Sequence, residues 1–358
     1  MGQDRRYMWR SLELARNGRA YVAPNPMCGA VVVRDGAVVG EGFHERLGGP
    51  HAEAQAIESA GEKARGATLY VTLEPCCNTY EGKRTPPCVP EIVKAGIARV
   101  VIANADPHPE VSGQGVKALA EAGIEVQMGE CEEEAAELNA AYFSHVRRGR
   151  PLVTAKWAMT MDGKIATRRG DARWISSDEA QREVHYDRSC SGAVIVGIGT
   201  VLADNPMLNA RTKGGRQPLR VVVDPKLQIP ANSKLVESAK EFPLAIYTRK
   251  DNPSSVMKAL QDMGAELIAL EHDGHGHLGW GAICRDLGYR GINSAIVEGG
   301  GGLLATAFKT RAVDRVKIYI APKIFGGKAA TTPVEGPGIP DVERAITFSH
   351  IHTRMLGP

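Results

Sequence analysis

Pro50-His51-Ala52-Glu53, Glu74-Pro75-Cys76 and Thr85-Pro86-Pro87-Cys88 bound the stretch on which the reading of the whole chain depends. One imidazole and two thiolates can hold Zn²⁺ tetrahedrally and leave a fourth position open, which describes a catalytic zinc rather than a structural one. Glu53 follows the histidine by two residues and is not needed as a ligand, so it is free to carry protons in a hydrolytic reaction. The plain alternative is a surface histidine near two thiols buried as small hydrophobes. Residue types, their order and the Pro-Cys setting together favour the metal.

Outward from this stretch the chain is an ordinary globular protein. Its 358 residues suggest two domains, with 24% charged and 43% apolar residues. A net charge of +3 without a dense Lys/Arg block gives no support to a nucleic-acid or membrane partner. The start, Met1-Gly2-Gln3-Asp4-Arg5-Arg6, lacks the apolar run of a signal peptide, and no stretch has the length of a membrane span. Seven cysteines, three of them between positions 76 and 88, suit a metal site in a reducing cytoplasm better than a disulfide framework.

Residues 4–17 place Met8, Leu12 and Ala15 on one helical face and stop at Gly18. Asn25, held between Pro24 and Pro26, reads either as a rigid substrate-reading amide or as part of a plain turn. Strands at 30–33 and 37–39 flank Asp35-Gly36 as a hairpin. A helix over 51–60 presents His51 and Glu53 at its start, and a strand over 68–73 delivers Cys76. Helix 89–95, strand 99–103, helix 114–122 and strand 124–128 continue an α/β alternation, followed by one polar helix over roughly 132–147. Asp106-Pro107 and Gly113-Gln114-Gly115 follow a strand end, where such folds place ligands. Arg147-Arg148-Gly149-Arg150-Pro151 marks the boundary between domains 1–149 and 150–358.

The second half restarts with a strand over 152–158, a turn at Asp162-Gly163, a helix over 178–189 and a strand over 193–196. Further strands are expected at 219–223, 244–248, 265–269, 293–297 and 314–320, with helices near 253–263 and 303–309. The alternation predicts a largely parallel, doubly wound α/β sheet. Gly197-Ile198-Gly199-Thr200 is a weak glycine signal. Glu298-Gly299-Gly300-Gly301-Gly302 is better placed, between an apolar strand and a helix, as a phosphate cradle or simply a flexible βα turn. Neither is the Gly-x-Gly-x-x-Gly fingerprint, so a Rossmann domain is not expected.

Taken in order, these motifs resemble the bifunctional riboflavin-biosynthesis deaminase–reductase family over almost the whole chain. His-x-Glu with a later Pro-Cys is the zinc-deaminase signature, and Asn25-Pro26 and Asp106-Pro107 extend the match. Lys156-x-Ala158-x-x-Met161-Asp162-Gly163-Lys164, Trp174-Ile175-Ser176, the run from Val196 to Pro206, Glu298-Gly299-Gly300 and Ile320-Ala321-Pro322-Lys323 resemble the reductase half. The resemblance implies a cytidine-deaminase-like α/β/α domain followed by a dihydrofolate-reductase-like doubly wound α/β domain. It implies Zn²⁺ on His51, Cys76 and Cys88, Glu53 as proton carrier and Asn25 as a substrate contact. It further implies NADPH contacts at Ala158, Trp174, Thr200 and Asp204, and along Gly300, Gly301, Gly302, Leu303, Leu304, Ala305 and Thr306. Ala172, Leu208, Arg211 and Glu298 match substrate positions, the planar fork of Arg211 suiting a phosphate.

The implied reactions are hydrolytic deamination of a diamino-pyrimidinone ribosyl phosphate and NADPH reduction of its ribosyl group to a ribityl chain. The implied partners are these small pyrimidine ribosyl phosphates, with neither nucleic acid nor membrane; homo-oligomerisation stays open. Only the resemblance favours NADPH over NADH. Two rivals remain: a nucleoside or nucleic-acid deaminase, usually with a short Cys-x-x-Cys spacing, and an active deaminase carrying a non-catalytic nucleotide-binding module. Against the family pattern, Asn78 stands where a histidine is usual, and an extra segment around Thr79-Tyr80-Glu81 either bulges outward or reshapes the pocket. Cys77 is expected outside the zinc shell. Relatives typically run on beyond Leu356-Gly357-Pro358 into a closing strand, so either the chain is truncated or the reductase sheet has an unprotected edge.

Overall fold

A computed structural model describes residues 2–79, 85–172, 175–213 and 215–357. The chain forms two compact units, residues 1–149 and 150–358. The first unit runs α1 (Gln3–Arg16), β1 (Gly29–Arg34), β2 (Ala37–Phe43), α2 (Ala52–Ala60), β3 (Thr68–Leu73), α3 (Cys88–Ala95), β4 (Arg99–Asn104), α4 (Gln114–Glu121), β5 (Glu125–Met128), α5 (Glu132–Leu138) and α6 (Ala140–Arg148). Its sheet has the order β2-β1-β3-β4-β5. Strand β1 is antiparallel to both β2 and β3, and the remaining pairs are parallel.

Strands β1, β3 and β4 are Val/Ile-rich runs buried almost throughout, as strands covered on both faces must be. One face is closed by α2, α3 and α4 over Ala56, Leu69, Ile92 and Ile102; the other by α1 and α5 over Met8, Leu12, Tyr70 and Val101. Helix α2 lies directly on β2 because two glycines let the backbones meet. A Cβ on Gly40 or Gly42 would stand 2.2 Å from the Ala56 carbonyl oxygen or 2.5 Å from that of Ala52. That close seat fixes the start of α2, and with it His51 and Glu53.

The single polar helix expected over 132–147 is two helices. Asn139 leaves helical geometry (φ −102°, ψ 18°). Its side chain is committed to the Met27 backbone instead, accepting from the Met27 N–H at 2.8 Å and donating to the Met27 carbonyl at 2.9 Å.

The second unit runs β6 (Leu152–Thr160), α7 (Asp178–Cys190), β7 (Ala193–Gly197), α8 (Ile198–Asp204), β8 (Leu219–Val223), α9 (Lys234–Glu237), β9 (Leu244–Arg249), α10 (Ser254–Asp262), β10 (Glu266–Leu270), α11 (Trp280–Tyr289), β11 (Ser294–Gly299), α12 (Gly301–Lys309) and β12 (Arg315–Ala321). Seven strands pair in the order β10-β9-β8-β7-β11-β6-β12, all parallel. Helices cover both faces, over Ile195, Tyr247 and Trp280 on one side and Val196, Val222 and Leu235 on the other.

The direction of strand order reverses around β7, β11 and β6, so their carboxyl ends open onto the crevice where a doubly wound sheet binds its ligands. Helix α11 was not expected, although Trp280, Ile283, Cys284 and Leu287 fall on one face at helical spacing and are all buried. Gly197-Ile198-Gly199-Thr200, read in the sequence as a weak glycine signal, leads into the short helix α8. Strand β12 lies at one end of the sheet with Ile318 and Ile320 exposed. No helix among the described residues is long and apolar enough to cross a membrane.

Candidate metal centre and cationic pocket

His51 caps α2, Cys88 opens α3, and Cys76 lies just beyond β3. The backbone N–H groups of Cys88 and Val89 both donate to the Cys76 carbonyl, at 2.8 and 3.1 Å, locking the two cysteine segments together. His51 Nδ1 is 3.2 Å from Cys88 Sγ and 3.6 Å from Cys76 Sγ, and the two sulfurs are 3.7 Å apart. Tetrahedral Zn²⁺ with Zn–S near 2.3 Å and Zn–N near 2.0 Å sets donor separations of about 3.5–3.8 Å; both Cys76 separations fall in that range, and a movement of a few tenths of an ångström at His51–Cys88 lets the three residues fit the ion.

They are the only such group of three among the described residues. Thr85 Oγ1 lies 2.7 Å from His51 Nε2 and so leaves Nδ1 to face the metal. The hydrogen bond from Cys76, burial and Glu53 push the Cys88 thiol well up; a dication inverts that balance and ionises it. The Cys76→Ala variant should therefore lose bound zinc while Cys77→Ala keeps it, as read by elemental analysis. Equal retention in both would contradict the ligand set.

Glu53, in the first turn of α2, is 5% exposed, and burial raises its carboxyl. His44, its ring 5.4 Å from that of His51, is fixed by its Nδ1, 2.9 Å from the Pro50 carbonyl, which can only accept. Nδ1 therefore carries the proton, and Nε2 accepts from the Asn25 amide nitrogen at 3.3 Å. Glu74 explains the first position of Glu-Pro-Cys. Its carboxylate accepts the backbone N–H groups of Asp106 (3.2 Å), Gly113 (3.0 Å), Gly115 (2.9 Å) and Val116 (3.2 Å), clamping the loop after β4 to the end of β3. Asp106, its carboxyl raised by burial, accepts from Tyr142 Oη and the His108 N–H. Asn78 donates to Gln114. The insertion around 79–81 lies mostly outside the described residues, which resume at Thr85.

In the second unit the two glycine-rich stretches lie side by side. Gly300 has φ +90°, and a Cβ there would meet Gly197 Cα at 3.4 Å; a Cβ on Gly299 would meet Thr200 Oγ1 at 2.9 Å. Gly300 caps α12, whose first residues are Gly301 and Gly302, followed by Leu303, Leu304, Ala305 and Thr306. Ala158 sits on β6. Trp174 lies outside the described residues, and Ala172, just before it, is exposed.

Next to these turns is a pocket of about 380 Å³ whose wall includes Asp204, Leu208, Arg211, Lys156, Arg188 and Ser176. Arg188 holds Glu298 bidentately at 2.8 and 2.7 Å, and Lys156 Nζ is 3.8 Å from the same carboxylate. Burial alone would raise the Glu298 carboxyl, but Lys156 and Arg188 bring it down to about 2. Of the expected substrate positions, Leu208 and Arg211 converge here with the cofactor position Asp204, and Glu298 is gripped by Arg188 of the wall.

Arg188 and His44 were missed in the sequence. Arg188 had a faint signal, since Gln181, His185 and Arg188 recur at helical spacing along one face of α7. His44 had none, because its partners are set by chain folding.

The cytidine and deoxycytidylate deaminase zinc-binding region matches residues 1–104, and the RibD C-terminal domain matches residues 151–357. The riboflavin biosynthesis protein RibD of Aquifex aeolicus is 44% identical over 90% of this chain and 88% of its own. That of Escherichia coli is 38% identical over 99% and 97%. Among solved structures, RibD of Acinetobacter baumannii has a TM-score of 0.87 at 34% identity, covering 99% of this chain and 96% of its own. The diaminohydroxyphosphoribosylaminopyrimidine deaminase/5-amino-6-(5-phosphoribosylamino)uracil reductase of Thermotoga maritima gives 0.84 at 39%, covering 98% and 95%.

A zinc-site deaminase half joined to a parallel-sheet reductase half defines a two-function enzyme acting on small molecules. The chain belongs to the RibD family of riboflavin biosynthesis, the bifunctional deaminase–reductases.

Proposed function

We propose that the first unit deaminates diaminohydroxyphosphoribosylaminopyrimidine and that the second reduces the resulting 5-amino-6-(5-phosphoribosylamino)uracil with NADPH, two consecutive steps of riboflavin synthesis. The observation that carries this reading is the His51, Cys76 and Cys88 donor triangle with Glu53 buried beside it. Zn²⁺ bound there supplies the Lewis acidity that makes water nucleophilic near neutral pH. Glu53 takes the proton of the attacking water on its carboxylate and returns it to the departing amino group. Its burial raises the proton affinity that such a shuttle needs. Asn25, oriented by His44, offers its amide oxygen to the pyrimidine.

In the second unit NADPH supplies the hydride. The backbone at Gly300–Gly302, opening α12, receives the cofactor's pyrophosphate, with Thr200 and Asp204 alongside. Arg211, whose side chain makes no hydrogen bond or ion pair among the described residues, receives the substrate phosphate. Lys156 and Glu298 stand where the ribosyl carbon is reduced. Seven cysteines, none of them in a disulfide among the described residues, suit a reducing compartment, and we assign the enzyme to the cytoplasm.

Cofactor choice is tested by following absorbance loss of NADPH and of NADH on the intact protein supplied with the deaminated substrate. NADPH should be consumed preferentially. Preferred use of NADH would overturn the cofactor assignment, and consumption of neither would support the rival in which the second unit only binds nucleotides.

A further inference from the structure

The pocket wall of the second unit contains one titratable ring that the proposed chemistry leaves unused. His185 stands on α7 one turn before Arg188 and lines the pocket with Arg188, Arg211, Lys156 and Lys234. Its Nδ1 is buried and has no hydrogen-bond partner; the fixed groups that favour a charged ring are the Asn209 backbone and Glu298. The charged groups facing it are Arg188 on its own helix, Arg211 from the segment after α8, and Glu298 at the end of β11. Lys156 on β6, Asp204 at the end of α8 and Lys234 at the start of α9 complete the charges of the wall.

Glu298 is already engaged by Arg188 and Lys156, so little of its charge is left for His185. Burial, Arg188 and Arg211 hold the imidazole below its ordinary value of 6.5, which makes it neutral near pH 7. A tetrahedral dianion against the two arginines reverses this balance. It cancels the charges that oppose a protonated ring and sets a negative one beside it.

We propose that His185 takes up a proton when the pocket receives a doubly charged phosphoryl group, so that anion binding and protonation of this ring are coupled. The proposal rests on the reading of this pocket as the phosphate end of the reductase site. The sign follows from linkage: a group that gains proton affinity on binding strengthens the complex as pH falls. The effect is confined to the window between the value of the free ring, below 6.5, and its raised value in the complex. Within that window one coupled proton gives at most about tenfold tighter binding per pH unit.

Inorganic sulfate is the discriminating probe, because it is a tetrahedral dianion that does not itself titrate near neutrality. The intact protein would be titrated with sulfate, and separately with ribose 5-phosphate, by calorimetry in two buffers of different ionisation enthalpy. Wild type should take up a large fraction of one proton per sulfate and bind more tightly as pH falls; His185→Asn should show neither effect. His185→Gln serves as a second variant, with circular dichroism as the check on folding. Absence of proton uptake by wild type, or equal uptake by wild type and both variants, overturns the coupling and leaves the phosphate reading standing. If neither probe binds wild type, the phosphate reading falls together with the coupling. Arg211→Ala should weaken both probes at every pH.

Discussion

Replacing Glu53 with Gln should lower ammonia release from the diamino-pyrimidine substrate by at least about 10²-fold. The substitution preserves size in a site where Glu53 is 5% exposed, so packing of α2 is kept. What it removes is the ability to take a proton and give it back, because a carboxamide does neither near neutrality. Zinc content should not change, since the candidate donors His51, Cys76 and Cys88 are left untouched. NADPH oxidation with deaminated substrate should not change either, because Glu53 belongs to the other half. Steady-state ammonia assays beside zinc analysis check all three points. Wild-type ammonia release from Glu53→Gln would remove the proton-carrier role.

The second large effect is on stability. Arg220, on β8, is fully buried, and no carboxylate pairs with it among the described residues. Its guanidinium is held by oxygens instead: Met207 O at 3.3 Å, Leu235 O at 3.3 Å, Ser238 Oγ at 2.8 Å and Ser238 O at 3.2 Å, with Phe242 O closing the ring of acceptors. Several of these are carbonyls at and just beyond the end of α9, where cations are favoured.

Burial draws the guanidinium down to about 10, so it remains charged at neutral pH. Arg220→Ala leaves a cavity and several buried carbonyls unpaired, and each effect costs on the order of 1–3 kcal/mol. The sum, at least about 3 kcal/mol, corresponds to roughly 6–12 °C in the transition of a unit this size. Arg220→Lys keeps the charge with fewer donors and should fall between. Differential scanning calorimetry decides, and a shift below about 2 °C for Arg220→Ala would contradict this account of the acceptor ring.

The His51, Cys76 and Cys88 cluster was legible because the chemistry of a candidate metal site demands uncommon residue types at short spacing. His-x-Glu fits one helical turn, and Pro-Cys follows a strand end whatever the rest of the chain does. The alternation of the second half was equally readable, since strands such as 193–197 and 244–248 are apolar-rich runs that only a doubly covered sheet buries. Partners set by distant chain were not readable. The Arg188–Glu298 pair joins residues 110 positions apart. Asn139 interrupts a good helical pattern only because the Met27 backbone, 112 residues away, is there to be bound. Glu74 was visible as a motif letter, but its purpose, collecting four backbone N–H groups of another loop, belongs to the tertiary structure.

The measurement that bears most directly on the central claim is the product formed by the intact protein from diaminohydroxyphosphoribosylaminopyrimidine, with and without NADPH, identified by mass. Without NADPH the account predicts one ammonia per substrate and accumulation of the ribosylamino-uracil. With NADPH it predicts one further equivalent of cofactor oxidised and a ribitylamino product heavier by two hydrogens. Reduction with no release of ammonia, or release of ammonia with no reduction under any supply of NADPH, would contradict the two-step assignment.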